Sequence, residues 1–195
     1  MMRRSLTAIA VACFFACTAS AQAAPGHQPA HEGNTGKSQA ATLQQLGDRY
    51  YAAVAGNAPL FATLTGDARY NDRLGLAIAP EQRARHVALM RKLQKSLSAI
   101  ASASLSTADQ TSYAMLAYEI KREIAAHAFP DHLMPVDQMM FSPPLWVASL
   151  ADGQGSQAIS TPQEYRIFLA RMKQLTPWLD QAIVNMRAGI KAGIV

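Results

Sequence analysis

"STPQEYRIFLARMKQLTPWLDQAIVNMRAGIKAGIV", residues 160–195, decides the fold class. Thr161, then Pro162, then Glu164 reads as a capping box with proline at the first helical position. A helix must follow it. A second start stands at Thr176-Pro177, where proline removes a backbone donor and kinks or restarts the helix. From Trp178 onward, Leu179, Ile183, Met186 and Ile190 recur at spacings of three and four, which places them on one face. Gly193 offers a left-handed cap, but so little chain follows that a Schellman closure has few residues to use. The amphipathic pattern simply runs out, and we expect the front part of a longer protein.

Upstream, the same periodicity returns. Leu43, Leu46, Tyr50, Ala53 and Val54 form one stripe that Gly56-Asn57 stops. A short helix spans about 59–65 and ends at Gly66. Pro80 and Glu81 open a helix reaching about residue 103, with Val87, Met90, Leu93, Leu97 and Ile100 along one face. Ser106 caps a further helix whose apolar side is Tyr113, Leu116, Ala117, Ile120 and Ile124. Between 129 and 160 the pattern breaks into an irregular segment rich in proline, glycine and methionine, with a short helix near 144–150. No strand pattern of convincing length and no repeat occurs. The expected fold is all-α: an irregular multi-helix array or bundle with one long irregular segment.

The beginning of the chain belongs to another class of signal. "MMRRSLTAIAVACFFACTASAQAAPGH" joins a basic pair, an apolar run and small-x-small sites at 19–21 and 21–23. These make a secretory signal peptide over 1–23, cleaved near Ala21 or Ala23. The apolar run is too short to span a bilayer, so no stable membrane span is expected after cleavage. The alternatives are lipidation at Cys17, whose preceding residues make a poor lipobox, and twin-arginine export. Both cysteines, Cys13 and Cys17, lie in this segment, so the mature chain has no thiolate chemistry. Residues 24–39 read as a flexible leader, and 40–195 as the helical domain. The leader's "GNTGKS" lacks the first glycine of a P-loop and the strand before it. The net charge of +5 from 18 basic and 13 acidic residues is scattered, which argues against nucleic acid as a partner.

Candidate chemistry is sparse. His31-Glu32 has no second histidine at metal-ligand spacing. His127 and His132 flank a proline and read as surface histidines at a helix end. His86, among Arg83, Arg85 and Arg91, reads as part of a solvated face, and Glu119/Glu123 as an exposed helix pair. No serine elbow occurs. Met139, Met140, Phe141 and Trp146 read as core packing or as the lining of a ligand groove. The loop "LTGDARYNDRL", residues 64–74, is more informative. Asp67, Arg69, Asp72 and Arg73 can pair there, and Tyr70 can bury its ring with its polar tip in water. The bland reading is a structural ion-pair knot.

That loop, with Pro80-Glu81-Gln82-Arg83 after it, resembles the start of the bacterial domain of unknown function 885 family. In that family a Leu-Gly-Asp-x-Arg-Tyr-Asp-Asp-like loop precedes a long helix. The resemblance continues through "LSTADQTSYAMLAYEI", "FPDHLMPVDQM", "TPQEYRIFLARM" and "PWLDQAIVNMRAGIKAGIV", covering about 43–195. It implies a longer, exported, mostly helical protein that looks like a zinc metallopeptidase, with a His-Glu metal motif far downstream. This chain would then be the N-terminal lobe walling a substrate cleft. It would hold no catalytic residue, no metal ligand and no cofactor of its own. The implied partners are the missing C-terminal half of the fold and a peptide substrate, and the implied compartment is periplasmic or secreted. Asp67, Arg69 and Tyr70, with Asp72 and Arg73, would orient the lobe, and Gln138 would face the cleft. The competing reading is a self-standing helical binding module that uses the Met/aromatic segment as its groove.

Overall fold

In the computed structural model, backbone is described for residues 32–136, 142–153 and 155–194, and side chains from 36 onward. Within these residues the chain is helical and carries no strand. The α-helices are α1 (Glu32–Asn57), α2 (Pro59–Leu64), α3 (Pro80–Ser98), α4 (Thr107–Ala126), α5 (Pro143–Leu150), α6 (Pro162–Met172) and α7 (Leu175–Lys191). Three short 3-10 turns, Ala68–Tyr70, Ser102–Ser104 and Asp131–Leu133, punctuate the connections. The signal-peptide segment, Cys13, Cys17, Gln138, Met139, Met140 and Phe141 lie outside the described residues.

The local rules behind these boundaries are visible at the caps. Ser106 Oγ accepts the Asp109 amide at 3.2 Å. Thr161 Oγ1 accepts the Glu164 amide at 3.2 Å, while Glu164 Oε2 accepts the Thr161 amide at 2.9 Å, closing the capping box. Proline stands at the start of α2, α3, α5 and α6, where its missing donor costs nothing.

Two ends differ from expectation. Helix α1 already runs from Glu32, so residues 32–39 continue the helix instead of belonging to a flexible leader. Gly36 permits this. A Cβ there would stand 3.1 Å from the Ser104 carbonyl oxygen, and Gln39 Oε1 accepts the Ser104 hydroxyl at 2.8 Å. At the other end, a full Schellman motif closes α7. The Ile194 amide donates to the Gly189 carbonyl at 3.0 Å and the Gly193 amide to Ile190 at 3.1 Å, with Gly193 at φ +68°.

The apolar residues sort into two main clusters. The first joins Leu43 and Leu46 of α1, Met90, Leu93 and Leu97 of α3, and Ile120 of α4. The second joins Leu60 of α2, Leu74, Val147 and Leu150 of α5, Phe168 of α6, and Trp178 and Ala182 of α7. The stripe on α7 does not enter either. Trp178, Ala182, Asn185 and Gly189 face inward, whereas Leu179, Ile183, Val184 and Ile190 are exposed, Ile190 by 65%. Leu169, Met172 and Tyr165 of α6 are also exposed. The second cluster selects the face of α7 carrying the indole and the small residues, which lets the helix approach closely, and turns the aliphatic face outward.

Candidate functional site

The loop between α2 and α3 is built around a cation the sequence reading passed over. Arg171, on α6, has no exposed surface. Its Nε donates to the Arg73 carbonyl (2.8 Å), Nη1 to Gln157 Oε1 (2.6 Å), and Nη2 to Thr63 Oγ1 (2.6 Å) and the Tyr70 carbonyl (2.7 Å). Gln157 Nε2 in turn donates to the Asn71 carbonyl at 3.0 Å. Gln174 accepts the Leu74 amide and donates to the Asp72 carbonyl. All four acceptors of the guanidinium are neutral. Burial therefore pushes Arg171 down to about 10, with Asp72 opposing.

Around this anchor the expected ion-pair knot forms. Arg69 Nη2 meets Asp67 Oδ2 at 2.6 Å and its Nε meets Oδ1 at 2.9 Å. The Tyr51 hydroxyl also donates to Asp67, at 2.8 Å. The Arg69 guanidinium, with these neighbours, holds the Asp67 carboxyl well below the usual carboxylate range. Asp72 and Arg73 pair at 3.4 Å. Tyr70 is buried, with the Arg69 and Arg73 guanidiniums 5.8 and 5.5 Å from its ring centre. The structure thus brings Asp67, Arg69, Tyr70, Asp72 and Arg73 into one loop, while Gln138 lies outside the described residues.

Two cavities with shared lining residues form a cleft beside α3 and α4. Its polar part, about 330 Å³, is walled by Arg83 and His86 of α3, Glu123 and His127 of α4, and His132. His86 Nε2 lies 3.0 Å from Glu123 Oε2, with the side chains only 10% and 22% exposed. Arg83 donates to Asp131 Oδ1 (2.9 Å) and to the carbonyls of His127 (3.2 Å) and Phe129 (3.1 Å). Asn185 of α7 fastens the wall from behind. Its Nδ2 donates to the carbonyls of Ile78 (2.8 Å) and His132 (2.9 Å). The adjoining apolar part, about 440 Å³, is lined by Leu60, Phe61, Trp146 and Trp178 among others. Asn57, Ala77, Ile78, Glu123 and Pro135 border both parts.

These positions correct the sequence reading. His86 and Glu123 are not a solvated face and an exposed pair. They meet across the α3–α4 interface because each stands beside an apolar stripe buried in the first cluster. His127 and His132 are not plain surface histidines but cavity walls. Burial, then the Arg83 cation, pushes both below the ordinary imidazole range. The hydrogen bond from His86 lowers Glu123 against the opposing effect of burial. A resident zinc would need converging ligands, and the described residues do not provide them: no group of three His, Cys, Asp or Glu side chains assembles. Among the described residues no helix is long and apolar enough to cross a membrane.

The model of the bacterial proteins of unknown function known as DUF885 matches residues 59–195, which takes in the Arg171-centred loop and most of the cleft. No curated protein and no solved structure matches.

Proposed function

The chain belongs to the DUF885 family, and from that premise we propose that it is the N-terminal helical lobe of an exported, zinc-metallopeptidase-like hydrolase. The observation that carries the reading is the outward aliphatic face of α6 and α7. Leu169 and Met172 on α6, and Leu179, Ile183 and Ile190 on α7, are each more than a third exposed, and their spacing puts each set on one helix face. Scattered apolar residues need no explanation, but an exposed apolar stripe along a helix face marks a contact surface. The rest of the family fold is its proposed partner, with a peptide as substrate in a cleft this lobe helps to wall. Asp67, Arg69, Tyr70, Asp72 and Arg73 would set the angle of the lobe. The chain contributes no catalytic residue and no zinc ligand in this reading, and the location is periplasmic or secreted.

The test is the intact mass and zinc content of the mature product purified from its native host. The expected result is a mass several-fold above the 21.0 kDa of this chain, with about one zinc per molecule. A product at or below that mass that binds no zinc would overturn the reading in favour of a self-standing helical binding module.

A further inference from the structure

We propose that these two adjoining cavities form a binding site for a protonated primary amine carried on an apolar, aromatic body. The inference does not rest on the lobe reading, because every residue it uses lies within this chain.

The polar end decides the head group. Arg83 would be the natural receptor for an anion, but both of its terminal nitrogens already donate, Nη1 to Asp131 and Nη2 to the carbonyls of His127 and Phe129. What remains is mostly acceptor capacity. Glu123 Oε2 is held by His86, whereas its Oε1 has only Arg122 at 3.5 Å. Asn57 Oδ1, at the junction of the two cavities, is buried and has no hydrogen-bond partner. His132 Nδ1 is likewise buried without a hydrogen bond, with Asp131 Oδ1 3.9 Å away, and accepts when the ring proton sits on Nε2. An N–H-bearing ligand supplies what these atoms lack.

Charge points the same way. Arg83 is balanced by Asp131 and Arg122 by Glu119, at 2.9 and 2.8 Å. With the imidazoles of His86, His127 and His132 neutral, the two arginines, Asp131, Glu119 and Glu123 leave a formal net charge of −1 around the cavity. A cation is therefore preferred over an anion of the same shape. The apolar end decides the body. Its volume suits a ring, and Phe61, Trp146 and Trp178 furnish aromatic walls against which a ring packs at van der Waals distance.

Trp146 and Trp178 are the chain's two tryptophans, so their fluorescence reports occupancy directly. The probes are 2-phenylethylammonium and 3-phenylpropionate, which share a body and carry opposite heads. They are titrated at pH 7 into the full chain, with excitation where phenyl rings do not absorb. The expected result is a saturable change with the ammonium, at least about tenfold tighter than with the carboxylate. Glu123→Gln should bring the two affinities within about threefold of each other. Equal or tighter binding of the carboxylate overturns the proposal. So does the absence of a saturable signal with the ammonium up to about 20 mM, beyond the range of a specific small-ligand site. The ammonium–carboxylate comparison on the unsubstituted chain decides the matter even if Glu123→Gln fails to fold.

Discussion

Arg171 shows how much structure one residue can carry when its charge has no carboxylate to meet. Its fork joins α2, through Thr63, to the residue 70–73 carbonyls and to Gln157. Removing it leaves several buried acceptors short of a donor at once. Arg171→Met should lower unfolding free energy by about 3 kcal/mol in urea denaturation, since each hydrogen bond to a charged group is worth about 1.5–3 kcal/mol and the recovered desolvation offsets part of the loss. Arg171→Lys should recover only part of that, because an ammonium cannot reproduce the planar fork. Arg69 is the control: its side chain is 72% exposed, and removing it leaves Asp67 with the Tyr51 hydroxyl and the residue 69 amide as donors. Arg69→Ala should leave the urea midpoint unresolved from that of the parent chain. If Arg69→Ala cost more than Arg171→Met, the loop would be held by its surface pairs and not by the buried cation. Sequence alone pointed to the wrong arginine. The dense charges of 67–73 drew the eye, whereas Arg171 stood as one basic residue in the last turn of an ordinary amphipathic helix. The legible signal was its register. It lies three residues after Phe168, on the face that α6 buries.

At the scale of elements, the helix starts were the most readable features because they depend on local chemistry. Thr161 and Glu164 satisfy each other's backbone neighbours within one turn, and no distant residue is needed. Thr161→Ala should cost about 1 kcal/mol and shift the thermal midpoint by a few degrees, measured by circular dichroism. Gly75 shows the opposite, non-local case. Its φ is +78°, and a Cβ would stand 2.9 Å from Pro59 Cδ, so the restriction comes from a helix start packed against the loop. Gly75→Ala should therefore cost about 2 kcal/mol, more than the same change at Gly193, where φ is +68° but the space is open. The orientation of the α7 stripe depends on the fold in the same way. Spacing shows that Leu179, Ile183 and Ile190 share a face, but only the fold determines that the second cluster takes the face of Trp178 and Ala182 instead. The start of α1 was hidden because Gly33 and Gly36 weaken helix propensity, and the compensating contact, Gly36 against Ser104, comes from a distant turn.

For the molecule as a whole, the outward face and the cleft respond to different perturbations. Ile190→Glu touches only the exposed face, so the thermal midpoint should stay within a degree or two while the binding of an apolar dye falls. Acid acts on the cleft and on the caps. His127 and His132 titrate below their ordinary 6.5 in the fold, so the unfolded chain takes up protons that the folded chain refuses. Their contribution to stability is complete above pH 6.5 and is lost as pH falls through the folded values. Glu123 and Glu164 titrate below the ordinary 4.5, held down by His86 and by the Ser160 and Thr161 amides. Their contribution is complete above pH 4.5 and disappears as pH falls through their folded values. Calorimetry across pH 8 to 3 should therefore show a melting temperature that is level above about pH 7, declines below 6.5, and declines again below 4.5. The double variant His127→Gln, His132→Gln should flatten the first decline and leave the second. A melting temperature that rises between pH 7 and 5.5 would mean that the two imidazoles gain partners on protonation. The acceptors of the cleft, Asn57 Oδ1 and Glu123 Oε1, would then be within their reach, and the preference of the site for an external cation would weaken over the same pH range.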